Sequence, residues 1–334
     1  MHRTNQLMKL SAGALCVMLA LLNSGCALVP AKAEPIAVAT RPPAPPVQKQ
    51  APVATPPRRV AIVLSDGKPA YQNVAIELAR LLQEPSVYTL GEDGLSPEVA
   101  MNTIAEAQTD VVVAIGLRAA IAAAANSKSP VVFCQVFNFS GYDLISDRFK
   151  GVASLPPLHL QVEAWKRLDP DLNNVGAILG EGHEYLIAEA VAATELHGVK
   201  LHYRTAKSDR ETLYLFNQLL PHIDGFWLFP DNRVLSPSVL RQMFDYASRH
   251  DIQIAVFNES LLGLGATMSA TAIASDIAAR IIEVVDQFYH GSGESIPDIT
   301  PLTTLDILTN EAVLLELGLK TAGIQTSAGI EDVR

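Results

Sequence analysis

Polar side chains suited to binding a small molecule lie at the ends of two apolar runs. Arg118 follows the run Val111–Ile115. Gln135 and Asn138 lie at the end of the run that begins at Val131. A guanidinium can bind a carboxylate through two parallel hydrogen bonds, and an amide side chain offers both donors and acceptors. These residues indicate ligand recognition, with a solvated helix surface as the alternative for Arg118.

Other candidate ligand-binding residues lie just beyond the carboxyl ends of predicted strands. In the first half of the chain they are Ser65, Asp66, Gly116, Leu117 and Phe137. In the second half they are Glu181, His183, Tyr185, Asp231, Asn232, Asn258 and Glu259. Each has a structural alternative, because short polar side chains also cap helices or form turns, and a phenylalanine can anchor its loop instead of lining a pocket.

The motifs of common catalytic and metal sites are absent from the sequence. It has no Walker A loop, no G-x-S-x-G, no H-E-x-x-H and no C-x-x-C, and its eight histidines are scattered. Cys134 lies within a hydrophobic run, which favours a buried packing residue over a nucleophile. Catalysis would need a nucleophile–base pair. We therefore predict a binding protein without catalytic residues, metal or cofactor.

The stretch 110–135 shows which elements position these side chains. Val111–Ile115 is a continuous apolar, mostly β-branched run, typical of a parallel strand buried on both faces. Arg118–Ala125 is rich in alanine and favours a helix. Strand, turn, helix and strand make a βαβ unit, and ligands of such sheets bind beyond the carboxyl ends of the strands.

The same alternation of strands and helices continues through two successive series. It predicts an α/β fold with two Rossmann-like lobes, each built on a parallel sheet, and a hinged cleft between them. The predicted boundaries place lobe I at residues 58–156 and 268–292, and lobe II at residues 157–267 and 293–334.

Length and composition favour a protein of two lobes that does not bind nucleic acid. The 334 residues are 49% hydrophobic and 18% charged, enough to bury a sizeable core. The formal net charge of −10 argues against nucleic-acid binding, which needs a basic face. Of the three cysteines, we expect only Cys134 to remain as a free thiol, so no intrachain disulfide is predicted.

Residues 1–25 are typical of a secretory signal. A basic start with Arg3 and Lys9 precedes the apolar run Leu10–Leu22, which is too short to span a bilayer. The segment resembles a bacterial lipoprotein signal cut before Cys26, with Asn23 where an aliphatic residue is usual. We expect lipidation of Cys26; ordinary cleavage or an uncleaved anchor are the alternatives.

Residues 26–57 predict a tether between this lipid and the globular body. Nine prolines in residues 27–57 favour extended polyproline II rather than a core, with a proline-rich ligand for a partner domain as the alternative. Because Ala27 is not aspartate, the lipoprotein resemblance implies the periplasmic face of the outer membrane if the host has two membranes.

Three motifs in the correct order resemble the ABC-transporter substrate-binding family that includes tryptophan- and tyrosine-binding members. They are VVVAIGLRAAIAAAANSKSPVVF at 111–133, LFPDNRVLSPSVL at 228–240 and NEAVLLELGL at 310–319. The resemblance covers residues 59–323. It implies the type I periplasmic-binding-protein fold, a small and amino-acid-like ligand, no enzymatic activity, and an ABC permease as partner.

The sequence departs from this family at positions that bear on ligand identity. The family's Gly-Thr turn is Gly116-Leu117 here, its Thr-Asp-Pro is replaced at 137–139, and Lys150 stands where a threonine is usual. Fold and ligand-binding role carry over, but the ligand does not. An alternative is a tethered interaction or sensing module at the outer membrane that contacts envelope proteins and has lost transport.

Overall fold

Two six-stranded sheets form the framework of the protein. The computed structural model describes residues 58–231, 235–291 and 293–319. The strands of the first sheet are β1 (Val60–Leu64), β2 (Ser86–Thr89), β3 (Val111–Ile115), β4 (Val131–Cys134), β5 (Phe149–Val152) and β11 (Ile299–Thr300). Those of the second sheet are β6 (Asn174–Gly180), β7 (Lys200–Ala206), β8 (Gly225–Trp227), β9 (Gln253–Val256), β10 (Met268–Thr271) and β12 (Asp306–Thr309).

Helices cover both faces of each sheet. The α-helices are α1 (Pro69–Leu81), α2 (Pro97–Glu106), α3 (Leu117–Asn126), α4 (Leu158–Leu168), α5 (Glu184–Leu196), α6 (Asp209–Leu219), α7 (Pro237–Arg249), α8 (Ala274–His290) and α9 (Glu311–Glu316). On the first sheet, α1 and α8 pack against one face and α2 and α3 against the other. On the second, α4 and α5 pack opposite α6 and α7. Among the described helices, none is both long and apolar enough to cross a membrane.

The strand order confirms the predicted fold class. The first sheet runs β11-β5-β4-β3-β1-β2 and the second β12-β10-β9-β8-β6-β7. Pairing among the described strands is parallel except between β10 and β12. Every residue of β1 and β3 is buried, as their continuous apolar runs predict. The result is two Rossmann-like α/β lobes.

Two short segments pair with the sheet of one lobe, whereas the predicted boundaries place them in the other lobe. Met268–Thr271 was placed in lobe I, but it pairs with β9 and β12 of the second sheet. Ile299–Thr300 falls within the range placed in lobe II, but it pairs with β5 of the first sheet. Strands of two to four residues carry little periodicity, so their sheet is decided by tertiary pairing rather than by local pattern. The remaining lobe boundaries stay a prediction.

Both tryptophans of the chain and its one described cysteine are buried in the core. The indole N–H of Trp165 donates to Gln253 Oε1 at 2.6 Å, and that of Trp227 donates to Gln161 Oε1 at 3.1 Å. Cys134 is fully buried on β4, and this burial raises the pKa of its thiol. The thiol therefore stays protonated at neutral pH, as expected of a packing residue.

The chain passes between the two sheets three times. It leaves β5 for α4 at residues 153–157, returns from β10 to α8 at 272–273, and leaves β11 for β12 at 301–305. These three segments, called the crossovers below, are the covalent links between the lobes. Any change in the angle between the lobes must be absorbed there.

Asp276, in the first turn of α8, holds the third crossover. Its carboxylate accepts hydrogen bonds from the backbone N–H groups of Thr303 and Thr304 at 2.8 and 2.9 Å, and from both threonine hydroxyls at 3.0 Å. Arg280 Nε lies 3.5 Å from the same carboxylate. Although desolvation acts to raise it, the pKa of Asp276 is lowered by these hydrogen bonds.

We expect Asp276→Asn to lower the free energy of unfolding by about 2 kcal/mol at neutral pH, because an amide cannot accept all four hydrogen bonds. Since the pKa of Asp276 is lower in the folded protein than in the unfolded chain, its stabilisation is present above the ordinary aspartate pKa and is lost as the pH falls through the folded value. Urea unfolding of both proteins should show a difference that shrinks in acid.

The matched control for this experiment is Asp245→Asn. Asp245 makes an exposed ion pair with Arg249 on α7, at 2.6 Å, and its loss should cost about 0.5 kcal/mol or less. Equal destabilisation by both substitutions would contradict the special role of Asp276.

Candidate functional site

The turn after β3 brings three strand ends of the first lobe together at Gly116. Its N–H donates to the carbonyl of Cys134 at 2.9 Å, and its φ is +87°. A Cβ at this position would lie 2.7 Å from Ser65 Oγ and 2.8 Å from the Tyr71 ring. Only glycine fits this conformation and this close approach. The turn therefore fixes the start of α3 against the end of β1.

Ser65, predicted to bind ligand or cap the next helix, caps a different helix. Its Oγ accepts a hydrogen bond from the N–H of Ala119 at 2.9 Å, in the first turn of α3, and the residue is buried. The helix that follows Ser65 in the chain is α1. The hydrogen bond therefore joins the end of β1 to α3, a helix that is distant in sequence. A ligand contact by Ser65 stays a prediction.

Asp66 is engaged by Lys68 and lies near Arg118. Asp66 Oδ1 accepts from the backbone N–H of Lys68 at 2.9 Å, and Oδ2 lies 2.9 Å from Lys68 Nζ. Desolvation acts to raise the pKa of Asp66, but the hydrogen bonds from Lys68 and the positive charges of Lys68 and Arg118 lower it. The Asp66 carboxylate is therefore charged at neutral pH.

Four predicted residues line one cavity of about 640 Å³: Ser65, Asp66, Leu117 and Arg118. Its other walls come from α1, α2 and α3, so its described lining belongs to the first lobe alone. We call it the Arg118 pocket. The structure thus brings these residues together on the first lobe alone, and their role as ligand contacts stays a prediction.

Gln135 and Asn138 lie on the loop after β4. Gln135 has a φ of +54°, its Nε2 donates to the carbonyl of Ala70 at 3.3 Å, and its Oε1 is buried without a hydrogen-bond partner in the described part of the chain. Asn138 precedes the short 3-10 helix Phe139–Tyr142 and is half-buried. Neither residue reaches the Arg118 pocket or the larger pocket described below.

Four rings, called the aromatic bridge below, join the lobes next to this loop. The rings of Phe137 and His183 are 4.6 Å apart between centroids, and those of Phe139 and Tyr185 are 5.5 Å apart. The hydroxyl of Tyr185 donates to the carbonyl of Phe137 at 3.5 Å. Phe137 and Phe139 follow β4 of the first sheet, whereas His183 and Tyr185 follow β6 of the second. The predicted strand-end loops therefore do meet across the lobes here.

Asp231 contacts the His183 ring of the aromatic bridge. Its Oδ2 accepts from the N–H of Gly180 at 2.9 Å and lies 3.2 Å from His183 Nε2. Asp231 and His183 are both buried, and the His183 ring packs against the ring of Phe137. The role predicted for Asp231 as a ligand contact stays a prediction.

The other predicted residues of the second lobe face solvent or fall outside the described residues. Glu181 is exposed and pairs with Lys207 at 3.4 Å. Asn258 is exposed, and its Oδ1 accepts from the N–H of Ser260 at 2.9 Å, which caps the 3-10 helix Glu259–Leu264. Asn232 lies outside the described residues.

A second cavity, of about 660 Å³, lies between the two lobes. We call it the interlobe pocket. Its walls come from both lobes and from two crossovers, within residues 136–139, 153–160, 185–189 and 299–303. Aliphatic side chains, prolines and the rings of Phe137, Phe139 and Tyr185 make up most of the lining. A pocket of this size and character is typical of sites that enclose a small organic molecule.

Of the first group of residues predicted to bind ligand, with Arg118, Gln135 and Asn138, only Phe137 lines the interlobe pocket. Tyr185, another predicted residue, lines it too, whereas the sequence pattern does not predict a role for Glu189 or the two crossovers. The sequence offers one signal for the crossovers, the pair Pro156-Pro157, which interrupts the strand–helix alternation. Glu189 carries no local signal, because an exposed glutamate on a helix is ordinary.

Within the residues that the structure describes, no three histidine, cysteine, aspartate or glutamate side chains are grouped in a way that could hold a metal ion. The geometry of the interlobe pocket allows a molecule to be enclosed between the two lobes.

Several solved structures share this fold. The ABC domain in complex with L-Trp from Streptococcus pneumonia is 17% identical over 80% of this chain and 96% of that chain, with a TM-score of 0.55. The ligand-free, open structure of a substrate binding protein with adhesive properties from Clostridium difficile is 17% identical over 80% and 97%, with a TM-score of 0.60. A conserved domain protein from Vibrio cholerae is 20% identical over 79% and 95%, with a TM-score of 0.53.

No curated protein sequence matches the chain. The structural likenesses show the fold, which is the predicted type I periplasmic-binding-protein fold. A family profile described as ABC transporter substrate binding protein matches residues 95–326, which is more than half of the chain. The predicted family is thereby confirmed. The chain belongs to the ABC transporter substrate binding protein family.

Proposed function

We propose that this chain is a lipid-anchored, extracytoplasmic solute-binding protein of an ABC-type uptake system. The observation that carries the proposal is the interlobe pocket, whose walls come from both lobes and two crossovers. A molecule held there contacts both lobes at once, so it stabilises the arrangement in which they approach each other. A permease could then distinguish the loaded from the empty protein by its shape.

The crossovers and the aromatic bridge give this movement its physical basis. The crossovers absorb the change in angle, and the aromatic bridge supplies contacts between the lobes that add to those made by the ligand. A ligand shifts the equilibrium between open and closed forms only by its difference in affinity for them. Contacts from opposite walls of the pocket supply such a difference.

Amino-acid-like molecules are the first ligand class to test. The Streptococcus neighbour is described in complex with L-Trp, and a pocket of about 660 Å³ is large enough for a molecule of that size. The Arg118 pocket is the second place where such a molecule could bind, because it holds the predicted guanidinium. Ligand-bound closure distinguishes the two, since only the interlobe pocket spans both lobes.

We expect isothermal titration against a broad panel of amino acids, amines, peptides and other metabolites to find a ligand with a dissociation constant of roughly micromolar magnitude. Small-angle scattering with that ligand should show a smaller radius of gyration. His159→Trp should weaken binding about tenfold or more, because His159 lines the interlobe pocket and a larger ring would fill it.

The matched control is His222→Trp, the same substitution at an exposed histidine that lines neither pocket. It should leave affinity unchanged. Absence of binding across the whole panel would refute the proposed function, and equal loss in both variants would refute the location.

Lipid attachment at Cys26 is tested independently of ligand binding. We expect the wild-type chain expressed in a Gram-negative host to partition into detergent and to incorporate radiolabelled fatty acid, because Cys26 carries the acyl chains. Cys26→Ser should partition into the aqueous phase and lose the label. Retention of both properties by Cys26→Ser would show that the anchor lies elsewhere.

A tethered interaction or sensing module at the outer membrane is the second candidate. The sorting residue Ala27 and the proline-rich segment favour it, because a body fixed to the outer membrane is distant from an inner-membrane permease. Crosslinking in cells followed by mass spectrometry separates the two. Recovery of an ABC permease supports uptake, whereas recovery of envelope proteins alone supports the module.

A further inference from the structure

The described lining of the interlobe pocket contains an acidic side chain but no lysine or arginine. Glu189 is the one carboxylate among its described lining residues, and none of those residues is a lysine or an arginine. Arg118, the guanidinium predicted to receive a ligand carboxylate, lines the other pocket. A ligand carboxylate would therefore enter this pocket without a lysine or arginine partner, at a large desolvation cost.

Glu189 is positioned to receive a positive charge. It lies one helical turn after Tyr185 on α5, so both side chains point to the same side of the helix, and both line the pocket. Glu189 makes no salt bridge with any described residue, which leaves its carboxylate available. Tyr185, Phe137 and Phe139 add ring faces, which also attract cations.

The electrostatics of α5 agree with this placement. Although the Glu189 side chain is exposed, partial desolvation raises its pKa, against the opposing effect of His159 on the neighbouring helix α4. Desolvation, and then the negative charge of Glu189, raise the pKa of Tyr185 to about 12. A carboxylate that has lost part of its hydration gains more from a bound cation than a fully hydrated one.

A second polar group in the same lining lacks a partner. The Ser154 hydroxyl, on the first crossover, is buried and makes no hydrogen bond within the described part of the chain. Buried hydroxyls are normally paired, so this one indicates a missing donor or acceptor. If the crossover shifts slightly during lobe closure, a polar atom of the ligand can form the missing hydrogen bond with the Ser154 hydroxyl.

We infer, resting on the proposed function, that the interlobe pocket takes an apolar or aromatic primary amine without a carboxylate. The ammonium group lies beside Glu189, and the hydrocarbon part lies between the rings of the first lobe and Leu160 of α4. Such a ligand resembles an amino acid in size and in its amine. It differs from an amino acid in lacking the carboxylate, for which this pocket has no lysine or arginine among its described residues.

Three phenyl compounds of matched size test the charge preference: phenethylamine, L-phenylalanine and 3-phenylpropionate. They carry one positive charge, both charges and one negative charge, respectively, at neutral pH. Isothermal titration with the purified chain should show that the amine binds about tenfold or more tightly than the other two. In Glu189→Gln this preference should fall to about threefold or less.

Glu195→Gln is the matched control, because it removes the same charge from an exposed position on the same helix that does not line the pocket. It should keep the preference for the amine. Equal effects of the two substitutions would overturn the inference, because the preference would then reflect only the net charge of the protein.

The remaining outcomes separate this inference from the proposed function. Tighter binding of L-phenylalanine or 3-phenylpropionate would overturn the inference and assign recognition to His159 and the start of α4, while the solute-binding function stands. Failure of all three to bind at about 10 mM would also overturn it. The broad panel and the scattering experiment above then decide the function by themselves.

Discussion

The structure depends on one constraint, the three crossovers of the chain between two parallel sheets. Each crossover starts beyond the end of a strand, so all three lie where the strand-end loops of both lobes converge. Two of these segments, at residues 153–157 and 301–305, also form walls of the interlobe pocket. Asp276 binds one of them, the third crossover, through four hydrogen bonds from Thr303 and Thr304.

Local hydrogen bonding decides which polar residues at the strand ends are free for a ligand. The Ser65 hydroxyl is used by α3, the Asp66 carboxylate by Lys68, and the Asn258 amide by the helix that it caps. Each bond satisfies a backbone donor that would otherwise be unpaired. The pocket between the lobes is consequently dominated by rings and aliphatic groups, and the few polar groups that remain there set its selectivity.

Much of the fold could be predicted because it is written in local patterns. The buried strand at Val111–Ile115 and the alanine-rich helix α3 that follows it are found where the sequence indicates them. The short strands Met268–Thr271 and Ile299–Thr300 could not be assigned to a sheet, because their pairing is decided by distant strands.

The site could be predicted only in part. Residues at strand ends were identified, and four of them share the Arg118 pocket. Which loops face each other across the lobes depends on tertiary geometry, so Glu189 carries no signal in the sequence, and the pair Pro156-Pro157 marks a break without showing that it lines a pocket. Arg118, which is predicted to bind a ligand carboxylate, lines a pocket of the first lobe alone. The interlobe pocket contains the carboxylate of Glu189 instead.

A crystal structure of the protein with a bound ligand tests the central claim most directly. The account predicts density in the interlobe pocket, in contact with Phe137 from the first lobe and with α4 or α5 from the second, and lobes closer together than in the empty protein. Density confined to the Arg118 pocket, with the lobes unmoved, would contradict it.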